Sequence, residues 1–162
     1  MITIDPNLRG CGGAEWYMGK LTRAEYVKNP AKGRGYEAHC AMARAFREKF
    51  WAQFDEIVVI EHPRVYPGMP QTDLNDLLDV CGVGAAVAAQ IDVGQIHTVF
   101  PSDWKGNVKK SIMLERIWSK LSDAEKAVVQ KTNKSDTEDI LDAVGIGLWK
   151  LNRLTTRKFA NE

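Results

Sequence analysis

The run IVVIE at residues 57–61 limits the possible folds more than any other stretch of the chain. Four β-branched apolar residues follow one another with no polar alternation, so a strand made of them must be covered on both faces, as in the interior of a sheet with parallel neighbours. Helices supply such cover. Residues 36–54 repeat apolar side chains at helical spacing (Ala38, Ala41, Met42, Ala45, Phe46, Phe50 and Trp51), which predicts a core-facing helix. Residues 73–91 read as a second long helix, with Asp73 as N-cap and Gly82 and Gly84 set among alanines. Glycine inside a helix costs about 1 kcal/mol relative to alanine, so the pair implies tight packing or a subunit contact.

The rest of the chain fits around that strand. MITID opens as a short strand ending at Asp5, turn residues follow through Gly13, and a second strand over residues 14–18 completes a hairpin. Residues 28–35 and the proline-rich residues 62–70 read as loops. A strand over 95–100, a basic loop over 102–110 and a helix to Lys120 come next. A short helix begins at the capping box SDAE (Ser122), and a last helix runs over 136–154. Two or three antiparallel strands, then helix, strand, helix, strand and helices, make an α/β domain with a mixed sheet and helices on both faces. A length of 162 residues predicts one domain.

Composition excludes several classes. Hydrophobic content of 44% with 27% charged residues is that of an ordinary water-soluble globular chain. Cys11, Cys40 and Cys81 are odd in number and outside any CxxC pattern, which predicts reduced thiols in the cell interior and neither a disulfide framework nor a zinc site. MITIDPNL lacks the basic and apolar regions of a secretory signal, and the longest apolar run, residues 80–89, falls short of the roughly 20 residues that span a bilayer, so no membrane partner is expected. The net charge of +1 is unevenly spread: residues 105–134 hold eight Lys or Arg against three acids, and residues 71–103 hold five aspartates and no Lys or Arg. Such a split suits a nucleic-acid surface and equally suits solvated helix faces.

EDILDAVGIGLWK, residues 138–150, sets Asp139 and Asp142 one turn apart on an apolar helix, where like charges repel. Asp5 ends the first strand and Glu61 ends the buried one, and sites in α/β sheets form outside the carboxyl ends of strands. A last helix crossing that edge would bring all four acids together. They could not all stay ionised without a counter-charge, and divalent magnesium, which prefers hard oxygen ligands, supplies one. Two such ions about 4 Å apart activate water and stabilise the leaving oxygen in phosphodiester cleavage. Singly, Asp5 reads as a turn former, and Asp139 with Asp142 as part of a solvated helix face. Trp104, between Asp103 and Lys105, is a candidate for stacking on a nucleotide base. Strand alternation points His62 away from Glu61; His97, Trp118 and Trp149 are expected in the core.

ITIDPNLRGCGGA at the start, VVIEHP at the second acid, PSDWKGNVKKS before a helix and DTEDILDAVGIGLWKL at the end occur together and in order over nearly the whole chain. In these the sequence resembles the RuvC-type resolvases of the ribonuclease H-like superfamily, particularly their phage-encoded relatives. The resemblance implies a mixed five-stranded sheet and a metal-dependent endonuclease that cuts Holliday junctions and other branched DNA. It implies Asp5, Glu61, Asp139 and Asp142 as catalytic ligands of two Mg2+ ions, with Mn2+ as a substitute. A phosphate-binding lysine maps to Lys105, Lys109 or Lys110; where relatives place an aromatic that probes DNA this chain has the loop HPRVYPG, in which Tyr66, Arg64 or neither takes that place. Phage relatives commonly carry His-Asn where this chain has Glu138-Asp139. A homodimer is implied, with the helix over 73–91 as candidate contact, in the cytoplasm of a bacterium or of a phage-infected host cell. The alternatives are an RNA-processing nuclease of the same fold and a module that binds branched DNA without cutting it.

Overall fold

The computed structural model describes residues 1–51, 57–64, 73–91 and 94–155. Within them β1 (Ile2–Asp5), β2 (Gly10–Tyr17), β3 (Lys20–Lys28), β4 (Ile57–Glu61) and β5 (Gln95–Val99) form one sheet in the order β3-β2-β1-β4-β5. The first three strands are an antiparallel meander, whereas β4 pairs parallel with both β1 and β5. The apolar run therefore lies between two strands, and Val58, Val59 and Ile60 are all buried. The helices are α1 (Tyr36–Lys49), α2 (Leu74–Gln90), α3 (Pro101–Trp104), α4 (Lys110–Lys120), α5 (Asp123–Ala127) and α6 (Lys134–Lys150). None of the described helices is long and apolar enough to cross a membrane.

Side-chain alternation divides the sheet into two cores. Ile2 and Ile4 of β1 and Val58 and Ile60 of β4 pack with Met42, Phe46, Val83 and Val87 of α1 and α2. The intervening Val59 joins Ile140, Val144 and Leu148 of α6 and Met113 and Ile117 of α4 on the opposite face. Successive strand residues point to opposite faces, so Asp5 and Glu61, one step beyond Ile4 and Ile60, belong to the α6 face. The parallel register aligns Ile4 with Ile60, which brings the two carboxylates level.

Helix α6 lies unusually close to the strands. A Cβ built on Gly12 would stand 2.0 Å from the carbonyl oxygen of Asp139, so the absence of a side chain there is what lets the start of the helix lie on β2. The Thr3 hydroxyl, inside the apolar β1, donates to the Ala143 carbonyl at 2.7 Å and accepts from the Trp16 indole at 3.1 Å. Arg153 just past α6 grips buried Glu125 of α5 through two bonds of 2.7 and 2.8 Å, and Glu125 also accepts from the Leu21 amide of β3. These bonds, the Arg153 one foremost, hold the Glu125 carboxyl below its usual range. Both ends of α6 are thus tied to the sheet.

Several expectations need correction. Strand β2 begins at Gly10, earlier than the expected residue 14, and the third antiparallel strand that the sequence left open is β3. Helix α1 ends at Lys49, with Phe50 as its cap; residues 52–54 of its expected span lie outside the described residues. Residues 101–104, expected partly as loop, form the single turn α3. Trp118, expected in the core, is 42% exposed, because α4 turns Met113 and Ile117 inward and leaves the following position outside. His97 is only half-buried: β5 is an edge strand, and the ring meets Lys150 at 3.2 Å. Trp149 is partly buried against the α6-side core, as expected.

Candidate active site

Three elements converge at the carboxyl edge of β1 and β4. Asp5 and Glu61 come from the adjacent strand ends, and α6 crosses that edge with Asp142 only 4% exposed. Asp139 stands one turn earlier, half-buried, with its backbone against Gly12. Gly12 is the register partner of Asp5, so one sheet position fixes both the first strand's acid and the approach of the helix that brings the other pair.

A lysine sits among these acids. Lys105, directly after α3, places Nζ 3.2 Å from Asp142 Oδ2 and 3.4 Å from Glu61 Oε2. Lys110, at the start of α4, lies 3.8 Å from Asp142 and 3.2 Å from Glu138. Lys109 is exposed and forms no ion pair among the described residues. Of the three lysines left open by the sequence, Lys105 is the one most deeply engaged.

The electrostatics follow from crowding. Burial, then Glu61 and Asp142, push the Asp5 carboxyl well above its ordinary range. Burial also raises Glu61, although Lys105 and the Trp104 indole oppose the rise. Burial and the charge of Asp142 lift Asp139 to about 6 against the pull of Lys110. For Lys105 burial works against the charge, but Asp142, Glu61 and Asp5 outweigh it and hold the proton more firmly than usual. The site is therefore a negative cluster short of positive charge. Among the described residues no three His, Cys, Asp or Glu groups are close enough to form a ready cation cage; in this structure the Lys105 ammonium lies between Glu61 and Asp142.

Trp104 departs from expectation. It is fully buried, and its indole N–H donates to Glu61 Oε2 at 2.6 Å, so it cannot stack on a base. Its ring fills the space that Gly145 leaves open on α6, and Lys105 Nζ sits 4.5 Å from the ring centroid. Trp104 thus positions Glu61 and Lys105, a role that nothing in a four-residue turn announces. Thr3 was also missed, although a hydroxyl within the apolar MITID was a signal. Arg64 is exposed and lies 5.1 Å over the Phe100 ring, whereas Tyr66 lies outside the described residues. His62 is exposed, edge-on to Phe100, and turned from the acids as alternation requires.

No protein-family model matches the chain, and no curated protein sequence does. Solved structures do match. RuvC of Thermus thermophilus in complex with a Holliday junction substrate superposes with a TM-score of 0.59 at 17% identity, over 94% of this chain and 96% of that one. A second Thermus thermophilus RuvC structure superposes at 0.53 with 15% identity, over 96% and 99%. With the strand order and the two-sided helix cover in view, the chain has the fold of these RuvC structures, a mixed five-stranded sheet with helices on both faces.

Proposed function

We propose that this chain is a metal-dependent endonuclease acting on branched DNA, Holliday junctions foremost, of the phage-encoded RuvC type. The observation that carries the reading is the meeting of Asp5, Glu61 and Asp142 around Lys105, with Asp139 beside them, at the carboxyl edge of β1 and β4. The donor set suits a hard divalent cation: it is all carboxylate, and the crowding that raises Asp5, Glu61 and Asp139 is what added positive charge would relieve. Asp5, Glu61, Asp139 and Asp142 would hold two Mg2+ ions, or Mn2+ in their place. Bound there, the metal supplies activation of water and stabilisation of the leaving oxygen.

The chain's own residues do the rest. Asp5 and Glu61 hold fixed positions because their strands pair in register, and Trp104 fixes the Glu61 carboxylate through its indole. Lys105 and Lys110 bind phosphate oxygens. Symmetric cuts in a junction call for two copies, and α2, with Leu74 and Leu78 62% and 68% exposed, is the face we assign to the homodimer. The protein then works as one nuclease unit in the cytoplasm of a bacterium or a phage-infected host.

The deciding experiment compares the parent with Asp142→Asn on labelled junctions, flaps, forks and structured RNA in Mg2+ and Mn2+. Paired cuts in junctions by the parent, lost in the variant with binding retained, support the reading; preferential cutting of RNA replaces the substrate. A second reading, a module that binds without cutting, draws on the Lys105 ammonium between Glu61 and Asp142. It prevails if the parent binds junctions and cuts nothing in either metal.

A further inference from the structure

Beside Asp139 a groove of about 1040 Å³ opens on the β2–β3 side, away from Lys105 and Lys110. Its rim carries Arg9, Lys28, Lys32 and Arg34. Arg34 is engaged by Asp76 and Asp79, so its charge is satisfied internally. Arg9, Lys28 and Lys32 are exposed and form no ion pair among the described residues. The acids on the lining are Asp76, paired with Arg34, and Asp136 and Asp139 of α6. The three free cations come from the β1–β2 connection, the end of β3 and the segment after it, and are suited to a polyanion that passes the acids.

The rim is also built to keep its shape. Asn29 is 7% exposed, and its side chain donates to the Leu8 carbonyl at 2.9 Å and the Ala38 carbonyl at 3.0 Å while accepting from the Ala31 amide at 3.0 Å. Its own amide donates to the Arg9 carbonyl at 2.9 Å. One buried side chain thus joins the Arg9 segment, the start of α1 and residues 28–31 into a single support. Fixed supports reduce the ordering cost of binding. The Tyr26 ring packs on Gly10 at the groove floor, where a Cβ would stand 2.4 Å from it.

We propose that this groove holds the sugar–phosphate backbone of the nucleic-acid strand flanking the bond to be cut, with Arg9, Lys28 and Lys32 each contacting a phosphate. The strand would pass from this trio to the acids, where Lys105 and Lys110 stand against Glu61, Asp142 and Glu138. The location of the cut rests on the nuclease reading; the binding does not.

The test measures affinity for a labelled four-way junction in EDTA, so that cleavage plays no part, over a range of salt. Arg9→Gln, Lys28→Gln and Lys32→Gln are made singly and together. A control triple, Lys20→Gln, Lys49→Gln and Lys120→Gln, removes the same charge from the start of β3 and the last residues of α1 and α4, none of which lines the groove. Each single change is expected to make the slope of log affinity against log salt shallower by about 1, and the triple by about 3, with affinity near 0.1 M salt falling on the order of 10²-fold. The control triple should leave the slope within error, and thermal melts should show all variants folded. The proposal is overturned if the trio changes nothing, if the control lowers the slope equally, or if the parent binds no nucleic acid. A parent that binds with the trio's dependence yet never cuts with Mg2+ or Mn2+ supports the groove and removes the nuclease reading. A parent that cuts and ignores the trio does the reverse.

Discussion

Gly12→Ala isolates the contact that joins sheet and site. The added methyl carbon would lie 2.0 Å from the Asp139 carbonyl oxygen, 2.5 Å from its carbonyl carbon and 3.0 Å from the Ile140 nitrogen. Ordinary contacts at such a Cβ begin near 3.4 Å, so the backbones must separate by about 1.4 Å. All three atoms are main chain, and no rotamer change relieves them. Overpacking of a fitted interior costs about 1–3 kcal/mol, and a clash with backbone belongs in the upper half of that range. For a chain of this length about 2–3 kcal/mol corresponds to a fall in Tm of roughly 4–12 °C. The displacement also lifts Asp139 and Asp142 away from Asp5, and a misplacement of about 1 Å can cost on the order of 10²-fold in rate. Differential scanning calorimetry and single-turnover cleavage of a labelled junction in Mg2+ measure the two effects. A variant that melts with the parent and cuts at its rate would refute the claim that close approach of α6 sets the site.

Trp104→Phe keeps most of the ring volume but removes the indole donor to Glu61, a hydrogen bond to a charged group worth about 1.5–3 kcal/mol. The urea midpoint should fall accordingly; an unchanged midpoint would show that the bond contributes nothing. For Asp139, the folded pKa of about 6 stands above the ordinary 3.8, so its contribution to stability is complete below 3.8 and is lost as pH rises through 6. In EDTA, Asp139→Asn should therefore melt above the parent at pH 7.5, with the gap closing toward pH 4; a gap of constant size or opposite sign counts against the crowding described here. Mg2+ should raise the parent's Tm more at pH 7.5 than at pH 5, because cation binding requires ionised carboxylates. Equal shifts at the two values would argue that the acids are not the ligands.

Those elements whose pattern is set by burial were readable from the chain alone. Ile57–Glu61 announced a covered strand, and the stripe Ala38, Met42, Phe46 announced α1, because each buries what its period displays. The errors have a common origin in contacts between distant segments. Gly10, Gly12 and Gly13 read as turn chemistry, yet they lie in β2 because Tyr26, Asp139 and Phe50 occupy the space their side chains would fill. Strand β3 mixes Lys20, Arg23, Glu25 and Lys28 with apolar residues, and only its pairing with β2 and the burial of Leu21, Ala24 and Val27 identify it. Trp104 and Trp118 exchanged their expected places: the first is sealed by Gly145, some forty residues later, and the second lies just off α4's inward stripe. At the candidate site the acids were visible as residues, whereas the choice of Lys105 from the three candidate lysines, and the free cations at Arg9, Lys28 and Lys32, came only with three dimensions.

The Thr3 hydroxyl and the Ala143 carbonyl meet across 140 positions of sequence. During synthesis, β1 and β4 leave the ribosome well before the segment that completes their environment, and pairings so remote are slow to form. A nascent chain halted before α6 possesses Asp5 and Glu61 but not Asp139 or Asp142. Translation order alone thus keeps the acid set incomplete until α6 has been made, and a copy truncated before it, however well its strands assemble, is left without the set.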